Sequence, residues 1–351
     1  MAVSDTEMVN AWTKVLKLSK LQEGQSVAIL TDPSTNLQTL ATAISASQGL
    51  GAIVTRIDLP AVNGGKSLSR DSSSYVGTTS LSGNHSALAA LKACDLVLDL
   101  MLLLFSPEQE EILRGGTKIL LAVEPPEILV RLIPTLEDRE AVLIAADKLA
   151  AAKTMRVKSA AGTDIIFPLG SYPLLKEYGF VDEPGRWDHW PSGFVATWPT
   201  DRTAQGTIVL DSGDIWTPRK TYINTPIKLT VREGYVTSIE GGLDADLLKD
   251  YMEYFNDPDA YAISHVGWGL QKRARWSVLG LYNRESTLGM DARSFAGNFL
   301  FSLGPNNEVG GSNNSACHID IPMRNCTVTL DGVDVVQKGC LTGDGASKTL
   351  N

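Results

Sequence analysis

Val27-Ala-Ile-Leu-Thr31 is a short, almost wholly apolar run, the pattern of a strand covered on both faces. Before it, from Asp5 to Leu21, apolar residues recur at helical spacing behind a capping residue. After it a second helical segment runs from Leu37 to Gln48, and the alternation continues with predicted strands at Ala52 to Leu59, Asp95 to Leu100 and Lys118 to Val123. Strands that alternate with helices build a parallel sheet, because each crossover helix returns the chain to the same end of the sheet and covers one of its faces. Residues 1–152 are therefore expected to form an N-terminal parallel-sheet α/β domain.

Beyond Lys153 the texture changes to shorter β-like segments separated by Gly, Pro and Asp, with one clear helix near Asp244 to Phe255. Predicted strands include Thr207 to Leu210, Ile227 to Arg232, Tyr235 to Glu240 and Cys326 to Leu330. Val231-Arg-Glu-Gly-Tyr-Val236 reads as a hairpin whose Gly234 supplies a positive φ. Residues 153–351 are thus expected to be a second, β-rich α+β domain. The Gly-, Ser- and Thr-rich stretch from Val62 to Asn84 reads as a mobile loop or lid.

The 351 residues are 43% hydrophobic with a mean hydropathy of -0.02, enough apolar material for a real core. A formal net charge of -9 and the absence of any Lys/Arg cluster argue against a nucleic-acid partner, which needs a basic surface to meet phosphates. The start of the chain lacks the basic and apolar stretches of a signal peptide, so the cytoplasm is the expected location. Leu96 to Phe105, the most apolar run, contains Asp99 and is about half of what a membrane-spanning helix requires, so it reads as a buried strand. Cys94, Cys317, Cys326 and Cys340 form no C-x-x-C pair and are expected to stay reduced. No G-x-G-x-x-G or G-x-x-x-x-G-K-[ST] occurs, so no nucleotide cofactor is expected.

Only His85, His189, His265 and His318 can supply imidazole. In Ala316-Cys-His-Ile-Asp-Ile-Pro322, His318 and Asp320 share one face of a strand while Ile319 and Ile321 share the other. The same alternation turns Cys317 away from His318. Taken alone, the pattern is more often that of a half-exposed strand carrying one His and one Asp. A third candidate, His265 in Ile263-Ser-His-Val-Gly-Trp-Gly269, sits on a similar segment whose glycines permit a close backbone approach to a ligand. Two imidazoles and one carboxylate make the facial triad of non-haem Fe(II) oxygenases. His85, in a polar stretch, reads as a loop residue without a catalytic part.

Phe180-Val-Asp-Glu-Pro-Gly-Arg-Trp-Asp-His-Trp-Pro-Ser-Gly193, Gly206-Thr-Ile-Val-Leu-Asp211, His265-x-Gly-x-Gly269 and His318-x-Asp320 carry a resemblance over essentially the whole chain. It resembles the 2,5-dihydroxypyridine 5,6-dioxygenases of nicotinate degradation, relatives of the leucyl aminopeptidase T-like (M29) metallopeptidases. The resemblance implies one Fe(2+) per chain on His265, His318 and Asp320, with 2,5-dihydroxypyridine and O₂ as substrates and N-formylmaleamate as product. In the peptidase branch two metals are held, and the segment matching His265 looks like Glu-x-Gly-x-Gly. Here His265 replaces that carboxylate and no histidine lies between it and His318, which disfavours the alternative of a two-metal aminopeptidase-like hydrolase.

Within the resemblance, His189 in Trp187-Asp-His-Trp190 is either a packed residue of an aromatic loop or the general base for a ring hydroxyl. Trp187, Trp190 and Trp198 either flank a flat substrate or belong to the core. Arg293 is expected to hold the substrate's 2-oxygen, its alternative being a surface salt bridge. Glu177 is expected to accept a hydrogen bond from the ring N–H. The resemblance places a histidine after Leu-Leu-Leu, where this chain has Phe105; a phenylalanine there would leave binding intact and impair turnover, or serve packing alone. The site is expected in the cleft between the two domains, with Phe105 contributed from the N-terminal side, in a protein without membrane contact that forms a homo-oligomer.

Overall fold

The computed structural model describes residues 3–60, 79–103 and 106–343. Phe105 and most of the proposed lid, 62–78, lie outside the described residues.

Ser26–Thr31 forms with its neighbours a five-stranded sheet in the order Ile53–Asp58, Ser26–Thr31, Leu96–Asp99, Lys118–Leu121, Trp187–His189. Every pairing in it is parallel, as the strand and helix alternation requires. Helix Asp5–Leu18 begins in a capping box, the Ser4 hydroxyl accepting from Glu7 N while the Glu7 carboxylate accepts from Ser4 N. It stops at Leu18 rather than Leu21 because Lys20 turns left-handed, φ 56°. Met8, Trp12 and Leu16 of this helix pack on Val27 and Ile29, while Ala28, Leu30 and Val97 face the core on the sheet's other side.

Strand Leu96–Asp99 is shorter than the apolar run that announced it. The buried Asp99 carboxylate accepts from Met101 N at 3.0 Å and Leu103 N at 2.5 Å, turning the backbone out of the sheet well before position 105. His85 is the first residue of helix His85–Lys92, capped by Asn84, and not a loop residue.

The antiparallel part begins at Thr154–Lys158, directly after helix Leu136–Ala151. An eight-stranded sheet runs Tyr235–Gly241, Ile227–Arg232, Gln205–Leu210, Asp164–Pro168, Thr154–Lys158, Thr327–Leu330, Val333–Gln337, Cys340–Leu341. Its Tyr235 hairpin closes through Glu233 and Gly234, both at positive φ (47° and 74°), so the turn needs two left-handed residues and not Gly234 alone. A five-stranded sheet runs Ile319–Met323, Phe299–Leu303, Ile263–Gly269, Phe194–Thr197, Leu174–Glu177. The largest core gathers Val157, Ile165 and Leu229 of the first sheet with Val266, Trp268 and Phe301 of the second.

The antiparallel strands begin at Thr154, but the chain later returns to the first sheet. Trp187–His189 leaves the antiparallel region and becomes the fifth strand of the parallel sheet, Leu121 pairing with His189. His189 therefore lies on a strand and not in a loop.

Candidate metal centre

The site is built on one face of the sheet that carries His265. On Ile319–Met323 the alternation holds: Ile319 and Ile321 enter the core between the sheets, and Asp320 points the other way. His318 immediately precedes the strand. The His265 and His318 Nε2 atoms lie 3.3 Å apart and each lies 3.1 Å from Asp320 Oδ1. All three residues are buried, at 5%, 2% and 4% exposure. Cys317, as expected, turns into the core, where burial pushes its thiol up to about 12.

Arg293 is neither on the surface nor turned to open space. From the short helix Met290–Ser294 its Nε donates to Asp320 Oδ2 at 2.6 Å, and Nη1 donates to Leu288 O at 2.7 Å. One carboxylate oxygen is thus held by a guanidinium while the other faces the imidazoles. Burial would raise the Asp320 carboxyl, yet Arg293, His318 and His265 outweigh it and hold Asp320 well below the usual carboxylate range.

The Arg293 helix is fastened from the other half of the molecule. Glu124, just past strand Lys118–Leu121, accepts from Thr287 Oγ1 at 2.6 Å, Leu288 N at 3.1 Å and Met290 N at 2.7 Å. Arg131 pairs with the buried Asp291. The glycines after His265 serve these approaches: a Cβ on Gly269 would sit 2.3 Å from Phe295 O, and one on Gly267 would sit 2.0 Å from Val195 O. It is backbone, not a ligand, that comes close there.

A second buried group joins Glu177, Asp188 and His189. His189 Nδ1 lies 2.5 Å from Pro191 O, which fixes the proton on Nδ1, and Nε2 meets Glu177 Oε2. Burial raises Glu177; for His189 burial is the largest effect and acts downward, but the Glu177 charge and hydrogen bond, with Asp188 and Pro191, together raise it. Asp188 is satisfied separately, by Arg186 Nη2 at 2.6 Å, Tyr178 N at 2.9 Å and its own neighbour His189 N at 2.8 Å. Glu177 pairs with Phe194 and Phe194 with Gly269, which places Glu177 on the face that carries His265, two strands across and four residues along, about 16 Å between the two backbone positions.

Of the three tryptophans, Trp198 packs edge-on to the His265 ring at 5.9 Å and Trp187 to the His189 ring at 5.5 Å. Trp190 is core: it packs against Trp12, and its Nε1 donates to Leu132 O. Glu124 and Asp188 did not stand out in the sequence, although Glu124 follows the carboxyl end of a parallel strand, where ligands gather.

The donor set fits a single transition-metal ion. Two imidazole nitrogens and one carboxylate oxygen converge, and Asp320 is the one carboxylate grouped with the two histidines among the described residues. A two-metal hydrolytic site needs bridging carboxylates at this point.

The sequence profile of the 2,5-dihydroxypyridine 5,6-dioxygenase family matches residues 7–343. A 2,5-dihydroxypyridine 5,6-dioxygenase of Pseudomonas putida is 52% identical over 339 residues, 97% of each chain. A solved structure of the 2,5-dihydroxypyridine dioxygenase from Pseudomonas putida superposes with a TM-score of 0.96 at 50% identity, covering 98% of this chain and 99% of the other. AmpT of Thermus thermophilus shares the fold at a TM-score of 0.62 and 13% identity, over 97% of this chain and all of its own.

Proposed function

The chain belongs to the 2,5-dihydroxypyridine 5,6-dioxygenase family, and from that premise we propose that it holds one Fe(2+) through His265, His318 and Asp320 and opens 2,5-dihydroxypyridine with O₂ to N-formylmaleamate, a step of nicotinate breakdown. The observation that carries this reading is the convergence of two imidazole Nε2 atoms and one carboxylate oxygen, with no other carboxylate grouped with them among the described residues. Bound iron supplies the electron transfer that lets O₂ react with an aromatic ring.

The protein's own groups do the rest. Arg293 holds Asp320 Oδ2, so Oδ1 stays turned to the ion. Nη2 of Arg293, which takes part in neither of its contacts described above, is the donor for the substrate's 2-oxygen. His189, its tautomer set by Pro191, takes the proton of a ring hydroxyl at Nε2, and Glu177 balances the imidazolium. The second oxygen of Glu177 accepts from the ring N–H. Burial of every one of these groups excludes water from the reacting ring.

Oxygen uptake after anaerobic Fe(2+) loading tests metal, substrate and reaction class together. The expected result is one O₂ consumed per 2,5-dihydroxypyridine, with turnover rising by about a hundredfold or more in Phe105→His, the scale of one added acid–base group, at nearly unchanged substrate affinity. No uptake by either protein, or two tightly bound ions per chain with release of N-terminal amino acids from peptides, overturns the reading.

A further inference from the structure

We infer that Ser302 is the positioning residue of the metal centre: its hydroxyl holds a β-bulge that turns His265 onto the same face as Asp320. In the ladder between Ile263–Gly269 and Phe299–Leu303, Ile263 pairs with Leu303 and Val266 with Phe301. Two residues, Ser264 and His265, therefore oppose one, Ser302, which is a β-bulge. Its consequence is a change of parity. Ile263, Val266 and Trp268 all face the core between the sheets although the first two are three residues apart. In an unbulged strand starting from Ile263, His265 would fall opposite Phe301 and point into that core, away from Asp320.

The bulge removes His265 from regular pairing, and Ser302 fills the gap. The His265 N–H donates to Ser302 Oγ at 2.9 Å, and that hydroxyl donates to His265 O at 3.3 Å. Ser302 is fully buried, so no water replaces it readily. It also pairs directly with Asp320 on its other side, which places one hydroxyl between the two strands that carry the ligands. Ser264, the other bulged residue, donates to Pro305 O instead and touches neither backbone group of His265.

The inference rests on His265 being a ligand, and the test separates the two claims. Apo protein is titrated with Fe(2+) anaerobically, and with Co(2+) in air, against a chromophoric chelator to give dissociation constants. The variants are Ser302→Thr and Ser302→Val, which share a shape and differ by the hydroxyl, together with Ser302→Ala and Ser264→Ala. Ser302→Val and Ser302→Ala are expected to weaken metal binding ten- to a hundredfold, the usual effect of losing a group that orients a ligand. Ser302→Thr stays within about threefold of the parent and keeps its Co(2+) visible spectrum. Ser264→Ala loses a buried hydrogen bond and some thermal stability, but keeps its affinity. Equal affinities for the Thr and Val variants, or equal weakening by Ser264→Ala, overturn the role of Ser302. A parent protein that binds no metal overturns the ligand assignment itself.

Discussion

Asp320 carries its charge in a buried site because Arg293 and two imidazoles surround it. Removing the cation leaves a buried carboxylate without its ion-pair partner, which typically costs about 3–5 kcal/mol. Arg293→Met is expected to lose about that much unfolding free energy in the metal-free protein at pH 7, read by urea titration; a loss below about 1 kcal/mol would mean the ion pair is not what stabilises Asp320. The pH response follows from the sign of the shift. Because the folded Asp320 titrates well below 3.8, its stabilisation is complete above that value and is lost as pH falls through the folded range. The variant should therefore lose less stability on acidification below about pH 4 than the parent does. His318 and Asp320 were legible in the sequence because strand alternation is local. Arg293's partner was not, since the two lie 27 residues apart and only packing brings them together.

At the scale of elements, Met290–Ser294 is a helix of five residues, far too short to persist alone. It holds its shape because Glu124 accepts three hydrogen bonds at its entrance and Asn298 donates to Arg293 O at 2.8 Å near its end. Glu124→Gln keeps the shape but turns an amide N–H toward at least one donor. The expected cost is about 2–4 kcal/mol in unfolding free energy, with weaker metal retention because Arg293 loses its mooring. A change within about 0.5 kcal/mol would show the clamp to be dispensable. The Trp187–His189 strand teaches the same lesson. Three residues are too few for a periodic signal, and their place is set by Lys118–Leu121, which offers an otherwise open parallel edge.

Across the whole molecule, two buried carboxyls outside the candidate metal centre couple stability to pH. Burial raises Asp99, at the carboxyl end of a parallel strand, to about 6, and Asp214, in the antiparallel half, to about 7. A raised carboxyl binds its proton more tightly when folded, so its contribution is full below about pH 4 and is lost as pH rises toward 6 for Asp99 and 7 for Asp214. Each group adds a downward slope of up to about 1.4 kcal/mol per pH unit. Asp214→Asn should flatten the stability profile between pH 5 and pH 7; an unchanged slope would remove Asp214 as its source.

By itself the sequence determined the alternation that builds the parallel sheet, the change of texture after Lys153, and the shared face of His318 and Asp320, because each depends on spacing between near neighbours. Only the tertiary structure decided that His189 closes the edge of the first sheet, that Arg293 meets Asp320, and that a bulge opposite Ser302 turns His265 out of the core. Those outcomes depend on which strand edges and buried charges find each other across the chain, and no local periodicity encodes that choice.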